Sequence, residues 1–426
     1  MLVAFAKSVQ GESHKRRENE TENASIGRKF PCQDKSFAKR ELEANDGTKF
    51  DFMAVCDGHG GAAYFRSERG ADFAIELLKD MLCRNMKRIC ELSMTKEYEK
   101  IKTQLALGLT KRWRERILQD LQEKPITETE YSFLEKEKPE AAQNYKQGKD
   151  VHSIYGCTMI AYFATTIFWY AIQIGDGDFA LSYDGKTFEL PMPADDECFL
   201  NQTTSLCDNK AIEEFRSCYG VQIPKAVFCS SDGVANSFKD EESLKKKFYL
   251  PIYNLFFDAE FSDCKKTCVK PDCDLRCRLN LISQEINSFL PILSKKGSGD
   301  DISLAGIVDF DEKRALAIRY YIRGLKNLGI LSGGNAGQKL IRKAADLGYE
   351  KAQFEYGRLC LAKSGQHKFF GQQYLNKSQK YLAEAKENGV SEASILLEQI
   401  FGNPFQEKLQ QIEDKVMEEI DAGGEK

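Results

Sequence analysis

The sequence predicts an α+β protein that continues into a helical C-terminal segment. Strand-like runs lie before and after a long helical stretch, and they do not alternate with helices as in βαβ units. Beyond Phe310 the pattern becomes helical and contains an internal repeat. The 426 residues provide room for a large domain and a smaller second one.

The composition is that of a globular protein without excess positive charge. Hydrophobic residues make up 42% of the chain, charged residues 30%, and the formal net charge is −4. We therefore expect no nucleic-acid partner. The 14 cysteines do not indicate a secreted disulfide scaffold, because the first residues lack a signal-peptide pattern. We expect a cytoplasmic protein with reduced thiols.

The first predicted elements are a hairpin and a set of helices. KSFAKRELEANDGTKFDFMAVCDG, residues 35–58, has two strand-like runs separated by a polar Asn-Asp-Gly turn. From Ala62 to about Lys149, apolar residues recur three and four positions apart among charged ones, as in amphipathic helices. We expect these helices to lie against a sheet.

An uncharged stretch of about 18 residues, Cys157–Ile174, is near the lower length limit for a membrane span. Its β-branched and aromatic residues instead favour two buried strands joined by a turn near residues 164–166. We therefore expect no membrane insertion. Further strands are predicted at Phe179–Tyr183, Ala226–Ser230 and within Asp300–Phe310.

The C-terminal segment contains two related helical stretches, Lys343–Gly357 and Glu384–Glu398. Both carry the pattern Ala-x-x-x-Gly-x-x-x-Ala, at Ala344, Gly348 and Ala352 and again 41 positions later at Ala385, Gly389 and Ala393. Small residues at these places would let paired helices approach closely, and the period is typical of stacked helix-pair repeats. The segment resembles Sel-like repeats of the tetratricopeptide type, which implies a protein partner; a single helical hairpin is the alternative.

Acidic residues recur beside the ends of the predicted strands. They are Asp34, Asp57, Asp176, Asp178, Asp232, Asp300 and Asp301. One Asp-Gly is ordinary turn chemistry, but so many in one domain indicate a site. Gathered carboxylates repel one another unless a cation lies between them, and hard divalent cations prefer oxygen ligands. With only four histidines in the chain, magnesium or manganese fits better than zinc.

Six motifs, in order, resemble those of the metal-dependent protein phosphatase (PPM) family, the type 2C serine/threonine phosphatases, and especially its bacterial form. They are CQDKSF, DGHGG, YGCTM, IGDGD, SSDGV and DDIS, within about residues 5–310. The resemblance implies a four-layer α-β-β-α sandwich with a metal cleft at one end of the sheets. It also implies a phosphorylated protein substrate. The predicted organisation is a catalytic domain at residues 1–312, a linker at 313–337 and repeats at 338–426.

The resemblance further implies a metal-binding role for each matching residue. Asp57 would bridge two ions, Mn²⁺ or Mg²⁺, and the Gly58 carbonyl would bind one of them. Asp232 and Asp300 would complete the shell of the other ion, and Asp34 would reach the site directly or through water. Two cations about 4 Å apart can lower the pKa of a bridging water and support an in-line displacement.

The remaining matches concern a third ion and the substrate. Asp176 lies where the family holds a third, weaker metal ion. His59 is the candidate general acid, because imidazole titrates near neutral pH and the leaving alkoxide needs a proton. Arg28 or Lys29 would bind the substrate phosphate. Asp178 stands where the family has a cation, and Asp301 where it has Asn.

None of these departures removes a metal-binding carboxylate, so an active serine/threonine phosphatase is the favoured interpretation. A catalytically weak, phosphatase-like sensor protein that acts through its repeats is one alternative. A two-metal phosphoesterase that acts on small phosphorylated molecules is another.

A cysteine cluster lies between the last two motifs, at Cys264, Cys268, Cys273 and Cys277. Four thiolates could bind Zn²⁺, but the spacing is not that of common zinc ribbons. The same spacing suits one face of a helix, where the thiols would pack as small apolar groups, and this interpretation is favoured. No Cys-x5-Arg phosphate loop is present, so cysteine-based phosphatase chemistry is not expected.

Overall fold

A computed structural model describes residues 2–13, 31–194, 203–257, 275–328, 334–365 and 370–401. The chain divides into two compact units, Met1–Leu255 with Leu275–Phe310, and Phe256–Asp274 with Asp311–Lys426. The range predicted as a linker, residues 313–337, overlaps a helix at Glu312–Leu328. The boundaries at residues 312 and 337 stay predictions.

In the first unit, the strands form two sheets in which every neighbouring pair is antiparallel. The strands are β1 (Leu2–Val9), β2 (Lys35–Glu43), β3 (Lys49–Cys56), β4 (Met159–Ala164), β5 (Trp169–Ile174), β6 (Asp178–Ser182), β7 (Arg216–Gly220), β8 (Ala226–Ser230) and β9 (Ile302–Asp309). One sheet has the order β1-β9-β8-β6 and the other β2-β3-β4-β5-β7.

Longer helices occur in both units. They are α1 (Ser67–Met94), α2 (Tyr98–Glu123), α3 (Glu128–Glu137), α4 (Pro139–Lys146), α5 (Leu275–Lys296), α6 (Glu312–Leu328), α7 (Gly334–Asp346), α8 (Glu350–Ser364), α9 (Gly371–Glu387) and α10 (Ser391–Phe401). Short helical segments lie at Ala62–Tyr64, Val151–Tyr155, Ala211–Glu214, Asp232–Ala235, Glu241–Leu244, Lys245–Tyr249 and Leu250–Leu255.

The alternation of side chains along β3 builds the layers of the first unit. Met53 and Val55 pack in the core between the two sheets, together with Phe179 of the opposite sheet. Phe52 and Ala54 point the other way and join the core formed with α1 and α2. Helix α5 lies against β1 and β9 on the far side. The predicted α-β-β-α sandwich is therefore confirmed.

The predicted hairpins are also confirmed. Strands β2 and β3 pair around a turn in which Gly47 has a φ of 83°. The uncharged stretch forms β4 and β5, joined by a turn in which Thr165 N–H donates to Phe168 O at 2.9 Å. Among the helices that the structure describes, none has both the length and the apolar character needed to cross a membrane.

The described part of the second unit after residue 311 is helical, as the resemblance to helical repeats implies. The four alanines of the repeated pattern, at positions 344, 352, 385 and 393, are fully buried, as close helix packing requires. The two glycines have a different role. Gly348 and Gly389 each have a φ of 90° between consecutive helices, a conformation that side chains other than glycine rarely adopt.

Candidate metal centre

The pairing of β2 with β3 brings two of the predicted metal ligands together. Lys35 lies opposite Cys56 in this antiparallel register. Asp34 and Asp57 are the next residues outward on the two strands, so both lie at the same end of the sheet. Asp34 is buried with 1% exposure, whereas Asp57 is half-buried.

The second sheet brings its acidic residues to the same site. Asp178 pairs with Ser230 across β6 and β8, and Ser230 pairs with Leu304 across β8 and β9. Asp232 therefore follows β8 at the end of the sheet where Asp300 precedes β9. Asp232 begins a one-turn helix, Asp232–Ala235, so the chain turns away from the sheet directly after this carboxylate.

The carboxylates influence one another electrostatically. Burial raises the pKa of Asp34 to about 7, and the charge of Asp301 acts in the same direction. Burial also raises the pKa of Asp57 well above its ordinary value, with further contributions from Asp34 and Asp232. The pKa of Asp232 is raised as well, by burial and then by nearby carboxylates that include Asp300. This is the charge pattern that a bound cation relieves.

Asp34 provides the sharpest test of whether a cation fits. Neither of its carboxylate oxygens has a hydrogen-bond partner in the described part of the chain, although Ser231 and Asp57 are near enough to lower its pKa against the larger effects of burial and of Asp301. A buried carboxylate without donors is costly unless a cation compensates it. Oxygen donors of this kind are those that Mg²⁺ and Mn²⁺ prefer. The donor chemistry therefore fits a hard divalent cation.

The described side chains do not form a closed coordination shell. Across residues 2–13, 31–194, 203–257, 275–328, 334–365 and 370–401, no three Asp, Glu, His or Cys side chains are arranged so that they could hold a metal ion as they stand. The predicted ligands therefore share one end of the sandwich and interact electrostatically, without converging on one point.

The backbone around Asp57 is held by the strand motif YGCTM. Asp57 N–H donates to Thr158 Oγ1 at 3.2 Å, and Thr158 N–H donates to Asp57 O at 2.8 Å. Gly58 pairs with Cys157 in an isolated bridge. A Cβ atom on Gly58 would lie 2.6 Å from Gln33 O, so only glycine lets the DGHGG turn pack against the segment that carries Asp34.

Asp301 has a structural role that the sequence did not indicate. Its Oδ1 accepts from Gly11 N–H and its Oδ2 from Gln33 N–H, both at 2.7 Å. Asp301 is 3% exposed, and Gln33 directly precedes Asp34. The carboxylate therefore ties the chain after β1 and the chain before β2 to the start of β9, and it fixes the backbone that carries Asp34.

His59, the candidate general acid, is half-buried. Its Nε2 lies 2.8 Å from Ser205 Oγ, and its ring meets Tyr64 edge-on at 4.8 Å between centroids. Burial lowers the pKa of the imidazole, while Asp208 and Asp176 oppose this shift. No motif of the sequence indicated that Ser205 would lie beside it.

The loop that carries Asp176 is held by contacts on both sides. Gly175 has a φ of 99°, its N–H donates to Thr204 Oγ1 at 3.0 Å, and its carbonyl accepts from the Arg216 guanidinium. The Asp176 side chain is exposed. Asp178 Oδ2 is buried with no hydrogen-bond partner in the described chain, and burial, then nearby carboxylates, raises the pKa of Asp178 to about 7.

Arg66 anchors the segment that follows DGHGG. Its guanidinium makes two hydrogen bonds to the Glu130 carboxylate, at 3.1 and 2.9 Å, and a third to Tyr155 Oη at 3.1 Å. The Tyr155 hydroxyl in turn donates to Asp120 at 2.6 Å. Arg66 N–H donates to Ile154 O at 3.0 Å. This buried network joins the starts of α1 and α3 to the segment before Thr158.

Some predicted features lie outside the described residues. Arg28 and Lys29, the candidate phosphate ligands, are among them, as is most of the cysteine cluster of residues 264–277. Cys277 lies in α5, in a part whose side chains are not described. The nine cysteines whose side chains are described are free thiols.

The family model described as protein phosphatase 2C matches residues 23–260, which is more than half of the chain. The chain belongs to the protein phosphatase 2C family. It is accordingly classed as a protein serine/threonine phosphatase. A comparison with curated proteins found no match.

Solved structures similar to this protein phosphatase 2C chain include a bacterial serine phosphatase, at 13% identity and a TM-score of 0.40, with 73% of this chain and 99% of the other covered. PppA of Pseudomonas aeruginosa has 14% identity and a TM-score of 0.38, with 72% and 97% covered. The catalytic domain of the serine/threonine phosphatase PstP, solved with two manganese ions, has 13% identity and a TM-score of 0.36, with 72% and 97% covered.

Proposed function

We propose that this phosphatase hydrolyses phosphoserine and phosphothreonine in proteins with two divalent cations, Mn²⁺ or Mg²⁺, bound at the shared end of its sheets. The observation that carries the proposal is the buried Asp34 carboxylate, which lacks a hydrogen-bond partner in the described chain and lies beside Asp57. Family membership supports the reaction class.

The chain's own oxygens would hold the cations. Asp57 and the Gly58 carbonyl would bind at the turn after β3, and Asp232 and Asp300 would bind from the second sheet. Asp34 would bind directly or through water. When bound, the cations neutralise the phosphoryl group and lower the pKa of a water molecule that attacks it. Asp176 is positioned in an exposed loop, and we assign it to a third, weaker ion.

Other residues would act on the substrate. His59 would give a proton to the leaving serine or threonine alkoxide, which is a poor leaving group without one. Arg28 or Lys29 would bind the phosphate, and of the two only Arg offers a planar, bidentate fork. The Thr158 and Asp301 hydrogen bonds would hold Asp57 and Asp34 in place while the substrate reacts.

The test is turnover of phosphoserine, phosphothreonine and phosphotyrosine peptides by the full chain, with and without added Mn²⁺. We expect Mn²⁺-dependent release of phosphate from the first two, and we expect Asp57→Asn and Asp232→Asn to abolish it. Asp80→Asn is the matched control, because Asp80 lies at the surface and its ion pairs in the described chain are with Arg84 and Arg112.

Calorimetric titration with Mn²⁺ separates the proposal from a sensor role, since a degenerate site would bind no metal tightly. Full turnover by Asp57→Asn would contradict the metal assignment. Turnover of small phosphate esters, together with inertness toward every peptide, would favour a small-molecule phosphoesterase instead.

A further inference from the structure

The segment Thr203–Asp208 packs against the proposed general acid, although no motif of the sequence assigned it a role. Ser205 lies at its centre and is 1% exposed. Its N–H donates to Asp208 Oδ2 at 2.7 Å, and the next residue, Leu206, donates its N–H to Cys157 O at 3.1 Å. These bonds fix the backbone of Ser205 beside His59.

The hydroxyl of Ser205 has two neighbours on the site side. Its Oγ lies 2.8 Å from His59 Nε2 and 3.1 Å from Cys157 O. A hydroxyl carries one hydrogen, and a carbonyl oxygen can only accept. The contact with Cys157 O therefore uses the hydroxyl hydrogen, so His59 Nε2 must donate to Ser205 Oγ.

Other contacts of the hydroxyl agree with this direction. Cys207 N–H points to Ser205 Oγ at 3.4 Å, and Cys207 Sγ lies 3.3 Å away. The backbone N–H can only donate, so Ser205 Oγ accepts from it and the hydroxyl hydrogen points elsewhere. The thiol sulfur can act as a weak donor or a weak acceptor, so its contact does not decide the direction. Nδ1 is then the ring nitrogen of His59 that remains for the substrate.

We propose that Ser205 is a positioning residue for His59: it accepts a hydrogen bond from Nε2–H and so fixes the ring orientation that leaves Nδ1 for the leaving group. The acid form of the ring carries a proton on both nitrogens; Nδ1–H gives its proton to the alkoxide, and the neutral Nε2–H tautomer bound to Ser205 remains. An orienting partner of this kind is the usual companion of a catalytic imidazole. The inference rests on the proposed function for its catalytic meaning, but the direction of the hydrogen bond can be tested without turnover.

The first test is nitrogen NMR of the histidine side chains in the full chain. Only four histidines are present, so a His59→Gln variant identifies the His59 signals. We expect the neutral ring to carry its proton on Nε2 in the wild type, and we expect this proton to exchange with solvent faster in Ser205→Ala, where its buried acceptor is missing. A proton on Nδ1 in the wild type would overturn the proposal. This test needs neither metal nor activity.

The second test compares two substrates with different needs for a proton. In Ser205→Ala we expect kcat on a phosphoserine peptide to fall about 10- to 100-fold with KM unchanged, since general acid catalysis contributes at least that much. Turnover of p-nitrophenyl phosphate should stay within about twofold, because nitrophenolate leaves without protonation. Equal losses on both substrates would indicate a merely structural role and would overturn the proposal.

Two further variants complete the design. Adding Ser205→Ala to His59→Gln should cause no further loss on the phosphoserine peptide, because residues that act through one another are not additive; additive losses would contradict the proposal. Ser93→Ala is the matched control, since the buried Ser93 hydroxyl donates to Cys90 O and touches no proposed site residue. If the wild type hydrolyses neither substrate, the proposed function fails, and the NMR result still decides the role of Ser205.

Discussion

Thr158 and Asp57 hold each other through two hydrogen bonds, one to the Thr158 hydroxyl and one to the Asp57 carbonyl. Thr158→Val keeps the shape but removes the acceptor of Asp57 N–H. We expect unfolding free energy to fall by about 1–3 kcal/mol, because a buried donor is left unpaired. We also expect Mn²⁺ affinity to fall about 10-fold, as for other supports of metal ligands. Urea unfolding and calorimetric titration measure the two effects.

Thr110→Val is the matched control for this change. Thr110 is 2% exposed, and its hydroxyl has no partner in the described residues. Its replacement should leave stability unchanged or raised, because no hydrogen bond is lost. Equal changes in unfolding free energy and in Mn²⁺ affinity in the two valine variants would contradict the role assigned to Thr158.

Asp301→Asn tests the buried carboxylate that accepts from Gly11 and Gln33. An amide offers one acceptor in place of two, so one backbone N–H would face an NH₂ group. We expect a loss of about 1–3 kcal/mol in the free energy of unfolding, measured by urea denaturation. Wild-type stability in this variant would show that the two hydrogen bonds contribute nothing net. The surface substitution Asp80→Asn again serves as control.

Gly70→Ala tests the close approach of α1 to the segment before Thr158. A Cβ atom on Gly70 would lie 1.8 Å from Tyr155 O, a backbone atom. We expect destabilisation of about 3 kcal/mol, because the backbone must shift. At Gly108 a Cβ would meet the flexible end of Met81 at 2.7 Å, so Gly108→Ala should be neutral or stabilising by up to about 1 kcal/mol. Thermal unfolding of the two variants tests this difference. Similar melting temperatures in Gly70→Ala and Gly108→Ala would contradict the steric argument.

Arg66→Met should be among the most destabilising single changes in the chain. It leaves the Glu130 carboxylate, 3% exposed, without the cation that binds it twice. Removing one partner of a buried ion pair costs about 3–5 kcal/mol. The exposed pair of Arg84 and Asp80 provides the contrast, because Arg84→Met should cost under about 1 kcal/mol. Denaturant titration of both variants measures the loss of unfolding free energy. Equal losses would contradict the stabilising role of the buried Arg66 network.

The Asp184 carboxylate, which lies outside the site, should make the stability of the fold depend on pH. Burial alone would raise the pKa of Asp184, but N–H donors from Thr187 and Lys186 outweigh it and lower the pKa to about 2 from an ordinary value of 3.8. The lowered pKa means that the carboxylate stabilises the fold above about pH 4 and loses this effect as the pH falls toward about 2. Asp184→Asn should therefore cost about 1 kcal/mol at pH 7.

The same cost should shrink at pH 3, where the carboxylate is partly protonated in the unfolded chain and the advantage of the folded state is smaller. Urea unfolding of the wild type and of Asp184→Asn at the two pH values measures the difference. A difference that grows as the pH falls would contradict the sign of the shift.

Local patterns predicted much of the first unit, because alternation and turn residues are local signals. Ala226–Ser230 was predicted with the bounds that β8 has, and the acidic residues do lie at strand ends. Strands β1 and β7 were not predicted. β1 owes its place to pairing with β9, about 300 positions away, and no short window of sequence contains that partner.

The residues that support the site could not be predicted from the sequence for the same reason, because their partners are distant along the chain. Asp301 binds Gln33 across 268 positions, and Ser205 meets His59 across 146. Sequence motifs identify the residues that would bind metal ions or substrate. The residues that position those side chains depend on which distant segments the fold brings together. The roles of Arg28, Lys29 and the cysteine cluster stay predictions.

The pairing of β1 with β9 has a consequence for synthesis of the protein. On the ribosome, Leu2–Val9 is made about 300 residues before its partner Ile302–Asp309. Asp34 and Asp57 are likewise made long before Asp300 and Asp301. Until β9 is made, nascent chains would therefore carry an unpaired β1 and an incomplete second sheet, the kind of exposed edge that invites aggregation and chaperone binding.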